Sequence, residues 1–156
     1  ESGYGLIGSV NRNNRRVTIV INGLNSKKKR TFESKRLFNI VFRETALLSL
    51  FSTQNTLVKA NVWLGKQNEV ELIAQKPFKK IVSPLELNKT KIKTEWMDPI
   101  AAPIRKGDVV GNIYIMIPGK NPIKQNMISS KDIKKMSPLV RVKSIIKFLL
   151  YGDIVE

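Results

Sequence analysis

After about residue 52 the spacing of apolar residues changes, and this change limits the folds open to the chain. Before it, Leu37, Phe38, Val41 and Phe42 recur at helical spacing, which puts them on one side of a helix. After it, Val58, Ala60, Val62 and Leu64 form one alternating set, and Val70, Leu72 and Ala74 form the next. A period of two is the mark of a strand with one buried face. Helix and strands therefore fall in separate stretches, an α+β arrangement with a boundary near residues 50–56.

The first stretch holds more than the helix. Residues 4–10 and 16–22 read as two strands joined by the polar connector Asn11-Arg12-Asn13-Asn14. Val17, Ile19 and Ile21 give the second strand one apolar face. Ser26 follows a Gly23-Leu24-Asn25 turn and reads as a helix N-cap. Lys27, Lys28, Lys29, Arg30, Lys35, Arg36 and Arg43 load the polar side of the helix. Three lysines in the first turn oppose the helix dipole at a few tenths of a kcal/mol each, so local stability does not account for them.

In the second stretch, Gly65-Lys66-Gln67-Asn68 turns the chain between two strands. Residues 91–97 alternate almost strictly, residues 109–117 form a longer apolar strand, and Pro118-Gly119-Lys120-Asn121-Pro122 is a tight turn before residues 123–129. Strands at this spacing with no helix between them predict a small antiparallel β-sandwich or barrel. The expected organisation is a hairpin plus helix over 1–50, a β-rich domain over 51–130 and a basic amphipathic helix over 131–156.

Within that last segment, residues 138–151 begin with Pro138, which suits the first turn of a helix. Leu139, Val142, Ile145, Ile146, Leu149 and Leu150 fall on one stripe, with Lys143 and Lys147 beside it. Such a helix is about 20 Å long, too short for a bilayer core of roughly 30 Å. It is long enough to lie along an anionic membrane surface, with lysines among the headgroups. These eight residues are the predicted membrane contacts. A helix packed on its own domain is the plainer reading of the same stripe.

The net charge of +16 and pI of about 10.3 favour polyanionic partners, nucleic acid or an anionic membrane. Lys, Asn and Ile have AT-rich codons, so genome bias accounts for part of the scattered lysine. Trp63 and Trp96 on predicted strands leave a basic β-barrel for single-stranded nucleic acid as the alternative function. Nucleic acid is the less favoured partner, because the basic residues cluster on the helical segments rather than around the indoles. With no Cys and no His, the chain offers no disulfide, no thiolate and no Ser–His or Cys–His pair. No cofactor or metal is expected.

Some short matches to serine acyl-enzyme motifs occur. Ser26-Lys27-Lys28-Lys29 and Ser144-Ile145-Ile146-Lys147 fit S-x-x-K, and Ser9-Val10-Asn11 fits S-x-N. K-T-G is absent: Lys89-Thr90 continues with Lys91, and Lys93-Thr94 with Glu95. In so lysine-rich a chain these matches arise by chance, and their contexts are a cap, an amphipathic stripe and a turn. No catalytic residue is assigned.

Taken in order, "SGYGLIGSV…RRVTIVINGL…SKKKR…ESKRLFNIVFR", then "APIRKGDVVGNI" over residues 102–113, then "LVRVKSIIKFLLYG" resemble the C-terminal portion of serine-type D-alanyl-D-alanine carboxypeptidases, the low-molecular-mass penicillin-binding proteins. The resemblance implies that residues 1–50 are the end of a penicillin-binding domain, followed by a β-rich second domain and a membrane-associating helix. It also implies that K-T-G, S-x-N and S-x-x-K lie upstream of "ESGYGL", so the nucleophile is expected to have been cut away. The intact parent would remove D-Ala from peptidoglycan stem peptides at the periplasmic, extracytoplasmic face of the bacterial inner membrane. This portion, predicted inactive alone, would serve as spacer and membrane-associating module. A hairpin without sheet partners leaves an unpaired edge, so a homodimer through it is a further expectation.

Overall fold

The computed structural model describes residues 3–51 and 55–137. They divide into two compact units, residues 3–49 with Lys79–Thr90, and residues 50–78 with 91–137.

The first unit opens with an antiparallel hairpin, β1 (Tyr4–Arg12) and β2 (Arg15–Leu24). Its turn is tighter than the four-residue connector expected. Arg12 pairs with Arg15, leaving Asn13 and Asn14 as the only loop residues, at φ 50° and 59°. Two positive φ values in succession suit the twist of a hairpin, and Asn tolerates them better than most residues. Helix α1 (Lys27–Glu44) follows, and the Ser26 side chain accepts from the Lys29 N–H at 3.1 Å, the cap expected from the sequence. Phe38 of α1 lies over Gly8 of β1: a Cβ on that glycine would stand 3.4 Å from the ring. At the hairpin tip, Arg12 and Arg15 stack on the Phe42 ring at 4.8 and 5.4 Å. Arg15 Nη1 donates to the Thr45 carbonyl at 2.6 Å, and Nη2 reaches the Thr45 hydroxyl. Two cations thus sit at the negative end of the helix dipole.

Two strands absent from the sequence reading complete this unit. Thr45 leaves the helix in extended conformation, and β3 (Ala46–Leu50) pairs with β6 (Phe78–Val82). Directly after β6 comes α2 (Pro84–Lys89), with Pro at its start and a complete capping box: Ser83 Oγ accepts from the Glu86 N–H, and Glu86 Oε2 from the Ser83 N–H. The expectation of strands with no helix between them is therefore corrected. Lys79–Thr90 lies within the stretch read as the β-rich domain, yet it groups with the first unit.

The second unit is a six-stranded sheet in the order β7 (Lys91–Trp96), β9 (Val109–Met116), β10 (Ile123–Ser129), β5 (Glu69–Ala74), β4 (Val58–Trp63), β8 (Ile100–Ala101). It curls into a half-barrel. All pairings are antiparallel except β4 with β8, which is parallel and departs from the all-antiparallel expectation. Register explains the core. Val70 faces Ala60, Leu72 faces Val58, Met127 faces Ala74 and Gly111, and Ile113 and Ile115 continue the same face. Val70, Leu72, Ile113, Ile115 and Met127 are wholly buried, each contributing roughly 1.5–3 kcal/mol of hydrophobic stabilisation. Residues 133–136 close one end. Ile133 and Ile104 exchange backbone hydrogen bonds at 2.8 and 2.9 Å, and Gly65 bridges Lys135. Ile133 and Lys135, in the segment expected to belong to the terminal helix, form isolated antiparallel bridges here.

Candidate functional site

The eight predicted membrane contacts, Leu139, Val142, Lys143, Ile145, Ile146, Lys147, Leu149 and Leu150, lie outside the described residues, as does Ser144. The structure shows the ground from which that segment departs. Ser129, buried in β10, donates its hydroxyl to the Lys131 carbonyl at 2.7 Å, and Asp132 Oδ1 accepts from the Lys106 N–H at 2.7 Å. Lys66 N–H then donates to the Lys134 carbonyl at 2.8 Å, and Met136 N–H to the Leu64 carbonyl at 2.9 Å. The chain is therefore held against β4's turn up to the residue before Ser137. Arg105-Lys106-Gly107-Asp108 supports the same region as a turn: Asp108 Oδ2 accepts from the Arg105 N–H at 2.7 Å, and Gly107 takes φ 90°.

Two of the serine motif fragments have structural roles. Ser26 caps α1. Ser9 lies in β1, and its hydroxyl accepts from the Thr18 hydroxyl at 3.2 Å. Among the described residues no group of three or more His, Cys, Asp or Glu gathers as a metal site, and no helix is long and apolar enough to cross a membrane.

The two indoles have different fates. Trp96 ends β7 beside Gly111, half-buried, with its Nε1 enclosed and without a protein partner. Trp63 ends β4 and is 53% exposed. On the solvent side of β7, Lys93 Nζ donates to Glu95 Oε1 at 2.7 Å. That hydrogen bond and the paired charge raise the Lys93 pKa and hold Glu95 below the ordinary glutamate range, with Tyr114 helping on Glu95. Both groups are exposed, so this is a surface pair.

A hairpin with a capped helix, followed by a curled sheet interrupted by a strand and short helix, defines a mostly β, α+β class of protein. The sequence profile of the family described as penicillin-binding protein 5, C-terminal domain, matches residues 47–135, and the chain belongs to that family. It is 26% identical over 136 residues to the D-alanyl-D-alanine carboxypeptidase DacF of Bacillus subtilis, covering 86% of this chain and 35% of that protein. It is 27% identical over 135 residues to DacC of Escherichia coli, covering 86% and 34%. The crystal structure of penicillin-binding protein 5 from Haemophilus influenzae superposes with a TM-score of 0.60 at 26% identity, covering 86% of this chain and 40% of that one. The chain spans about a third of the length of these curated relatives.

Proposed function

We propose that this chain is the C-terminal part of a D-alanyl-D-alanine carboxypeptidase acting in peptidoglycan maturation at the outer face of the bacterial inner membrane. In this reading the β-rich unit is a spacer, residues 138–150 associate with the membrane, and the serine nucleophile belongs to the rest of the protein. The match of residues 47–135 to the family's C-terminal domain carries the reading. The names of the relatives supply the activity of the whole protein. Support for the membrane role is the apolar stripe of Leu139, Val142, Ile145, Ile146, Leu149 and Leu150 with Lys143 and Lys147 beside it.

The test uses the full chain. It should pellet with vesicles containing phosphatidylglycerol and not with purely zwitterionic ones, and the double variant Ile145→Asp/Ile146→Asp should stay in the supernatant. A fluorescent penicillin should leave the chain unlabelled. Covalent labelling, or retention of single-stranded DNA without vesicle binding, refutes the reading. As an isolated chain, the hairpin is proposed to pair with a second copy. Ile7 and Val20 face each other across it and are 77% and 71% exposed. Sedimentation showing only monomer at micromolar concentrations counts against this.

A further inference from the structure

We infer that the end of the second unit carrying Trp63 and Lys66 is itself a membrane contact, seating on anionic lipid alongside residues 138–150; the inference rests on the membrane role proposed for that segment. Three observations point to it.

The first is register. Gly65 bridges Lys135 in antiparallel fashion, and Lys66 N–H donates to the Lys134 carbonyl, so Lys66 and Lys134 stand opposite each other. Like charges at opposed positions destabilise a strand pair, so folding gives no reason for them. Lys66, Lys134 and Lys135 are exposed, and none takes part in the ion pairs found among the described residues. The neighbouring carboxylates are engaged or set back. Asp132 accepts from the Lys106 backbone, Asp98 holds Asn61 at 2.8 and 2.9 Å, and Glu69 pairs in register with Asn61, two residues before Trp63.

The second is Trp63. It is tied into the same end through its carbonyl, which accepts from the Ala102 N–H at 2.9 Å, while its indole is exposed. An exposed amphipathic indole is suited to the boundary between headgroups and acyl chains.

The third is continuity. The run that carries Lys134 and Lys135 leads, two residues later, into the segment beginning at Pro138. Whatever that segment rests on is within reach of this end of the unit. An anionic bilayer answers the unpaired lysines, the exposed indole and the apolar stripe that follows in the sequence together.

The test is again on the full chain, with vesicles of phosphatidylglycerol and phosphatidylcholine. The chain has two tryptophans, so brominated phospholipid should quench Trp63 and spare the enclosed Trp96. Trp63→Phe should abolish the quenching while far-UV circular dichroism stays unchanged. Lys66→Gln, Lys134→Gln and Lys135→Gln should each weaken vesicle binding about fivefold, as expected for a lysine near an anionic surface. Quenching undiminished in Trp63→Phe, or lysine variants that bind like the unaltered chain, overturns the inference. If vesicle binding depends on Ile145 and Ile146 but Trp63 is never quenched, this inference falls and the proposed function stands. If Ile145→Asp/Ile146→Asp still binds with Trp63 quenched, the proposed role of the terminal segment falls, and the seat shared with it falls too.

Discussion

Gly111 shows how one residue sets the spacing of a sheet. A Cβ built there would stand 2.5 Å from the Glu95 carbonyl oxygen and 2.8 Å from both the Trp96 Cβ and the Met127 Cε. Backbone and core side chains cannot all retreat at once. Gly111→Ala should therefore destabilise the protein by at least ~1–3 kcal/mol, read as a lower urea midpoint. On the facing surface, the Lys93–Glu95 pair has a defined pH window. Glu95 is depressed, so its contribution is present above the ordinary glutamate range and is lost as pH falls through the depressed value. Lys93 is raised, so its contribution is present below the ordinary lysine range and is lost as pH rises through the raised value. Solvent screening keeps both contributions small. An NMR titration should place the Glu95 midpoint below that of a free glutamate, and Lys93→Met should return most of that difference.

At the scale of elements, α1 combines a good cap with an unfavourable first turn. Ser26→Ala should cost about 1 kcal/mol, while Lys28→Glu should gain a few tenths by answering the dipole. Opposite shifts in thermal midpoint check the pair. The cap was legible in the sequence because Ser26 follows a Gly-containing turn and precedes a helical stripe. So were β4, β5 and β7 from their alternation, β9 from its apolar run and β10 from the tight turn before it. Strand β3 was not. Ala46-Leu47-Leu48-Ser49-Leu50 has no period that separates strand from helix, and it becomes a strand by pairing with β6, nearly thirty residues on. Helix α2 did carry a signal, Ser83-Pro84-Leu85-Glu86, a capping box with proline at its start. It went unread because six residues are too few to show a helical period.

For the whole molecule, charge is the dominant quantity. The first unit carries thirteen Lys and Arg against Glu33, Glu44 and Glu86, and the second adds the exposed Lys66, Lys134 and Lys135. Vesicle binding driven by such charge should weaken steeply between about 0.05 and 0.5 M salt, since screening shortens the reach of exposed charges to a few ångströms. Binding that is indifferent to salt would mean that apolar burial alone carries the contact.

Composition, periodicity and motif order in the sequence determined its α+β character and the family it resembles, because these depend on residue type and local spacing. Only the tertiary structure decided that Lys79–Thr90 groups with the hairpin and helix, that β8 joins β4 in parallel, and that Lys66 and Lys134 oppose each other at the end bearing Trp63. Each of these is a pairing between residues distant along the chain. Such pairings are selected by which buried faces fit together, and no local window contains both partners.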